Sequence, residues 1–155
     1  MTAIDAFWQG YVDTLPADHP HRAQGYVSTY SFGDNKAMQD ELLALVLAGT
    51  KTATSGTAAG FKAEGEAIPQ VGDLNIILDG DGEPACIVET TAVEIVTFNA
   101  VTAEFAYEEG EDDRSLANWR DNHERFWKRV LPQLGLAFDP EMPVVCERFR
   151  LLYAR

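Results

Sequence analysis

From Thr50 onward the chain changes texture, with short β-type runs separated by clusters of turn residues and helical patterns that do not alternate regularly with them. The runs cover residues 52–57, 71–78, 84–97 and 144–153, and Asp79-Gly80-Asp81-Gly82-Glu83 reads as a hairpin connection between the second and third. A doubly wound sheet would show regular β-α alternation. The pattern therefore predicts an α+β fold built on a small, curled, partly closed β-barrel of mixed strands with flanking helices. The hairpin run superficially resembles a calcium loop, but Pro84 stands where the sixth-position glycine is required and Thr90 replaces the bidentate acid. That reading is rejected.

The helices are marked by periodicity and caps. Ile4, Phe7, Trp8, Tyr11 and Leu15 fall at helical spacing behind Thr2 as N-cap. Residues 16–25 carry two prolines and the His19-Pro20-His21 triplet, which predicts an exposed loop. A second helix is expected over residues 36–48, with Leu42, Leu43, Val46 and Leu47 on its core face and Gly49 as C-cap. Residues 100–108 predict a short helix and 115–133 a longer one, in which Leu116, Trp119, His123, Phe126 or Trp127, and Val130 share a face. With no internal repeat or low-complexity linker, residues 1–155 read as a single domain, 1–25 being an N-terminal helix and loop extension.

Of the 155 residues 46% are hydrophobic and 24% charged, enough for a core without disulfides or metal. Cys86 and Cys146 lie inside apolar runs without metal-ligand spacing, so both are expected as buried reduced thiols. No run reaches the ~18 apolar residues of a membrane span, and the N-terminus lacks a signal-peptide pattern; the expectation is a cytoplasmic protein that makes no membrane contact. The formal charge is −13. Such a chain is poorly suited to general polyanion binding, which relies on Lys and Arg displacing counterions. The charge is uneven, however: residues 1–113 hold 4 basic and 20 acidic side chains, whereas residues 114–155 hold 8 basic and 5 acidic. Arg114, Arg120, Arg125, Lys128 and Arg129 gather on or beside the long helix, a local basic face that favours a small ligand or a short single strand over long duplexes.

Three segments carry candidate chemistry. Gly49-Thr50-Lys51-Thr52-Ala53-Thr54-Ser55-Gly56-Thr57 sets one lysine among hydroxyls directly after a helix end. It is not a P-loop, because Thr50 separates Gly49 from Lys51 and the order is helix to strand. Burial would depress the lysine pKa and make it a base or an anion anchor; the competing reading is an exposed edge strand. The acidic run Glu108-Glu109-Gly110-Glu111-Asp112-Asp113 either complements the dipole of the helix that follows or supplies a general acid or base, with Gly110 allowing close approach. In Ser115-Leu116-Ala117-Asn118-Trp119-Arg120-Asp121-Asn122-His123, Trp119 and His123 are four apart on one face, with Arg120 to one side. Glu89 either points into the barrel or occupies a wet sheet face, and the wet face is the expectation. No dinucleotide fingerprint and no Cys/His zinc pattern is present. No cofactor is expected, although the acidic run leaves a divalent metal open.

Together these stretches, with Phe32-Gly33-Asp34, Leu45-Val46-Leu47-Ala48, Pro69-Gln70-Val71-Gly72-Asp73, Phe105-Ala106-Tyr107 and Val145-Cys146-Glu147-Arg148-Phe149, resemble the ASCH domain family over about residues 26–153. The resemblance implies a barrel similar to that of the PUA RNA-binding domain and a role in RNA or nucleoside chemistry. Some family members are ribonucleases, and a smaller relative is an amidohydrolase that deacetylates 4-acetylcytidine with a lysine, a threonine three residues later and a downstream glutamate. Carried over, these roles fall on Lys51, Thr54 and Glu109 as catalytic residues, with Glu108 and Glu111 as alternatives to Glu109. Ser55, Ser115, Arg120 and His123 are the expected substrate-binding residues, and single-stranded RNA or a nucleoside is the expected partner. The alternative is a non-catalytic RNA- or nucleotide-binding module. In a regular strand Ser55, not Thr54, shares a side with Lys51, so a Lys51–Thr54 pair needs a turn or bulge.

Overall fold

The computed structural model describes all residues, 1–155. Five strands form one sheet: β1 (Ser28–Tyr30), β2 (Ala53–Thr57), β3 (Leu74–Leu78), β4 (Pro84–Thr97) and β5 (Pro143–Ala154), in the order β1-β3-β4-β5-β2. Only β1 and β3 run parallel; the other neighbours are antiparallel. Register shifts at Ile87/Val88 and Thr90/Ala92 interrupt the long β4–β5 ladder, and such irregularities bend and twist a sheet. The two edges, β1 and β2, are not hydrogen-bonded to each other. The result is an α+β half-barrel, open between those edges.

Side chains on the strands alternate between two covered faces. Ile76 and Ile87 pack with Tyr11 from α1 (Ala3–Val12), whose start is closed by a capping box between Thr2 and Asp5. Ile77, Cys86 and Val88 point the other way, against Leu43 and Val46 of α3 (Lys36–Leu47). A third cluster joins Phe105 of α5 (Ala103–Glu109) and Trp119 and Trp127 of α6 (Leu116–Val130) to Ala53, Val144 and Cys146. Both cysteines are free and buried, and burial pushes each thiol up to about 12. No helix is long and apolar enough to cross a membrane.

Several expectations are corrected. The predicted loop at 16–25 contains a short helix, α2 (Pro20–Gln24), because Pro20 is preset for the first helical position and the His19 ring accepts from the His21 N–H. Glu89 does not sit on a wet face: its carboxylate meets His21 Nε2 at 3.3 Å and Arg150 Nη2 at 2.5 Å. Strand β1 and helix α4 (Ala58–Ala63) appear where no element was predicted, and β3 begins at Leu74, three residues later than the run at 71–78.

Candidate functional site

The site is assembled where the chain leaves α3 and enters β2. After Gly49 the backbone turns so that the N–H groups of Thr50 and Lys51 both donate to the Leu45 carbonyl. Lys51 is thereby driven inward, with its side chain 1% exposed. Its ammonium donates to the Ala53 carbonyl at 2.9 Å, to Glu111 Oε2 at 2.9 Å and to Glu109 Oε1 at 3.2 Å, which uses its three N–H bonds.

Both carboxylates reach one lysine because of Gly110. This residue ends α5 in the left-handed region, at φ 75°, and reverses the chain between Glu109 and Glu111. A Cβ here would lie 2.5 Å from the Thr50 carbonyl oxygen, so glycine is required twice over, by conformation and by space. The loop beyond is held in an uncommon backbone state, with Asp112 and Arg114 also at positive φ. Asn122 donates to Asp112, while the Arg114 guanidinium lies over the Tyr107 ring and donates to the Tyr107 and Thr50 carbonyls.

The second oxygen of Glu109 is equally engaged. Oε2 accepts from Ser55 Oγ at 2.7 Å and from Trp119 Nε1 at 2.6 Å, with His123 Nε2 at 3.5 Å. Trp119 and His123, one turn apart on α6, stack with centroids 4.1 Å apart. The His123 Nδ1 lies 2.8 Å from the Trp119 carbonyl, which only accepts, so Nδ1 carries a proton. Nε2 faces the Glu109 carboxylate at 3.5 Å, which favours a proton there as well.

The charge states follow. Burial alone would push Glu109 up, but the Lys51 ammonium, His123 and the Ser55 hydroxyl outweigh it and hold the carboxyl well below its usual range. Burial would lower Lys51, yet Glu109 and Glu111 outweigh it and raise its pKa. The expectation of a lysine base made by burial is thus reversed: Lys51 is a fixed cation. His123 is likewise raised, against burial, chiefly by Glu109. Glu111 differs. Burial raises its pKa more than Lys51 lowers it, and with its side chain 26% exposed it is the carboxyl of the group positioned to exchange protons with a ligand.

These residues line a cavity of about 360 Å³, walled by Phe32, Met38 and Phe126 and bordered by Arg125 and Arg129. Lys51, His123, Arg125 and Arg129 face four carboxylates there, Glu41, Glu109, Glu111 and Asp112, so with His123 charged the cavity is balanced on a chain of −13. Glu109, Glu111 and His123 offer ligand atoms within 4.8 Å of one another. Two oxygens and one nitrogen suit a divalent ion, but Glu109 is already saturated by Lys51, Ser55 and Trp119, so a metal here has to displace existing donors.

The structure brings together Lys51, Ser55, Glu109 and His123. The ladder between β2 and β5 is regular through Ala53–Thr57, without a bulge, so Ser55 and not Thr54 contacts Glu109. Thr54 still lines the cavity, and its hydroxyl makes no bond to protein. Glu108 turns away to pair with Arg148. Ser115 and Arg120 are not brought in: Ser115 caps α6 by accepting from Asn118, and Arg120 donates to the Asn99 carbonyl. Sequence reasoning missed the Trp119 indole as a donor and Asn122 as a support for the loop. Their signal was the spacing of Trp119, Asn122, His123 and Phe126 along one side of α6.

The mixed half-barrel agrees with the comparisons to known proteins. The chain belongs to the ASCH domain family, whose model matches residues 28–153. It is similar to the ASCH domain from Lactobacillus crispatus JV V101, with 31% identity, a TM-score of 0.85, and 96% of this chain and 93% of that one covered. Protein EF3133 from Enterococcus faecalis V583 aligns at 36% identity with a TM-score of 0.83, over 97% of this chain and 88% of its own. The hypothetical protein PH0355, at 13% identity and a TM-score of 0.53 over 81% of this chain and 97% of that one, shares the fold. No curated protein matches the chain.

Proposed function

We propose that this chain is an ASCH-type hydrolase acting on single-stranded RNA or a modified nucleoside in the cavity around Lys51. The reading is carried by one observation: the buried Lys51 ammonium and the His123 ring face a 360 Å³ cavity beside Glu111, a partly open carboxyl whose pKa is raised. Fixed cations stabilise negative charge that develops on a carbonyl or phosphoryl oxygen, and a carboxyl with raised pKa moves protons.

For an N-acetylated base, Glu111 takes a proton from water as the water oxygen bonds to the acetyl carbon. The positive charge of Lys51, whose N–H bonds stay on protein acceptors, stabilises the oxyanion through space, and Glu111 returns the proton to the departing amine as the C–N bond breaks, giving acetate and the free amine. For RNA, Glu111 takes the 2′-hydroxyl proton, that oxygen bonds to phosphorus, and the 5′-oxygen leaves with a proton from His123. In both, Glu109 orients Lys51, Ser55 and His123, and Thr54 offers its free hydroxyl to the substrate. Arg125 and Arg129 at the rim favour a phosphate-bearing substrate. Product formation from 4-acetylcytidine and from a short single-stranded RNA, compared between wild type and Glu111→Gln, tests this. Binding without product in either assay assigns the chain to a non-catalytic binding module instead.

A further inference from the structure

A second cavity, of about 550 Å³, opens inside the half-barrel between its unpaired edges β1 and β2. Its volume is that of a small-molecule site. Thr54 and Ser55 line both cavities, so the two meet at β2. Their electrostatics are opposite. Glu64, Glu66, Asp73 and Glu147 line the second cavity, and no Lys, Arg or His does. A phosphate is repelled there; a group with N–H donors is not.

The polar groups at its wall are buried and only partly used. Glu147 is 5% exposed and Asn75 6%. Thr90 Oγ1 donates to Glu147 Oε2 at 2.6 Å and Ser28 Oγ donates to Asn75 Oδ1 at 2.9 Å, which fixes both side chains. Glu147 Oε1 and Asn75 Nδ2 are left without protein partners, and neither atom is sealed from solvent. Both atoms are therefore free to pair with a ligand that enters the cavity. Burial also pushes the Glu147 carboxyl up, with Asp73 adding to the shift and Thr90 opposing it. The rings of Tyr30 and Phe61 give the cavity flat apolar surfaces.

We propose that this second cavity is a nucleobase pocket, in which Glu147 Oε1 accepts an N–H of the base edge and Asn75 Nδ2 donates to an acceptor atom of that edge. The sugar then passes Thr54, and the phosphate or the scissile group lies over Lys51 in the balanced cavity. Stacking on aromatic rings and hydrogen bonding of an unpaired base edge are how single-stranded bases are read. The inference rests on the reading of the chain as acting on nucleosides or RNA, and extends it to how the base is held.

Calorimetric titration of the full chain with cytidine, adenosine, guanosine, uridine and ribose 5-phosphate tests it. At least one nucleoside is expected to bind more tightly than ribose 5-phosphate, which lacks a base for the second cavity. The isosteric Glu147→Gln, and separately Asn75→Ala, are expected to weaken the nucleoside about tenfold or more and to raise KM more than they lower kcat. Thermal melting of each variant verifies its fold, and Tyr30→Phe gives a third variant that keeps the ring. Nucleoside affinity and KM indifferent to Glu147 and Asn75, with turnover still lost in Glu111→Gln, overturn the pocket and leave the hydrolase standing. Nucleoside binding that falls in both variants of a protein without turnover keeps the pocket and removes the hydrolase. Binding of spermidine but of no nucleoside overturns the pocket in favour of a site for organic cations.

Discussion

Lys51 Nζ stands 3.2 Å from Glu109 Oε1, and their side chains are 1% and 2% exposed. A buried pair of this kind contributes little over an apolar pair, but removing one partner strands the other's charge. Lys51→Ala leaves Glu109 with Ser55, Trp119 and His123 only. It is expected to lower unfolding free energy by about 3–5 kcal/mol, read from urea denaturation at pH 7.

The same cluster gives stability a pH signature. Glu109, lowered from 4.5, contributes stability that is present above pH 4.5 and is lost as pH falls through its folded pKa. His123, raised from 6.5, contributes stability that is fully present below pH 6.5 and is lost as pH rises through its folded pKa. Glu111, raised from 4.5, contributes fully only below pH 4.5 and loses its share as pH rises. The Glu109–His123 attraction is thus at full strength between pH 4.5 and 6.5. Urea midpoints measured from pH 5.5 to 8.5 are expected to fall in the wild type and to fall less in His123→Gln.

Gly110→Ala tests the turn that lets two carboxylates share one lysine. The left-handed conformation alone costs a side chain about 1–2 kcal/mol, and the added Cβ meets Thr50 backbone, which cannot swing aside as a side chain would. A loss of at least that size is expected in urea denaturation, together with loss of turnover as Glu111 is displaced.

Ser115 separates two roles. As the N-cap of α6 its replacement by alanine is expected to cost about 1 kcal/mol, seen as a lower melting temperature, with KM unchanged. A raised KM at unaltered stability restores the substrate contact that the family resemblance implied.

What the sequence carried, and what it did not, follows from the range of each interaction. Runs such as Pro84–Thr97 and the Thr2 cap are local, and they were readable. Strand β1 was not: Ser28-Thr29-Tyr30 is too short to show alternation, and its partner Leu74–Leu78 lies more than forty residues away. Helix α4 has Gly60 in its middle and buries no residue, so it leaves no periodic stripe. At the site, Lys51 and the acidic run stood out by residue type. Their convergence across a separation of 58 residues depends on Gly110 and on Ser55 sharing the Lys51 side of β2, and that geometry moved the proton-carrying role toward Glu111. Of the basic side chains that the uneven charge gathers on α6, Arg125 and Arg129 border the cavity, whereas Arg120 donates to the Asn99 carbonyl.

Proton transfer through Glu111 beside the Lys51 cation is tested most directly by turnover of a short single-stranded RNA and of 4-acetylcytidine by wild type and by Glu111→Gln, with both proteins shown to be folded. Product from at least one substrate is predicted for the wild type, with kcat reduced about 10²–10⁴-fold in Glu111→Gln. No product from either substrate, or an undiminished kcat in the variant, contradicts the account.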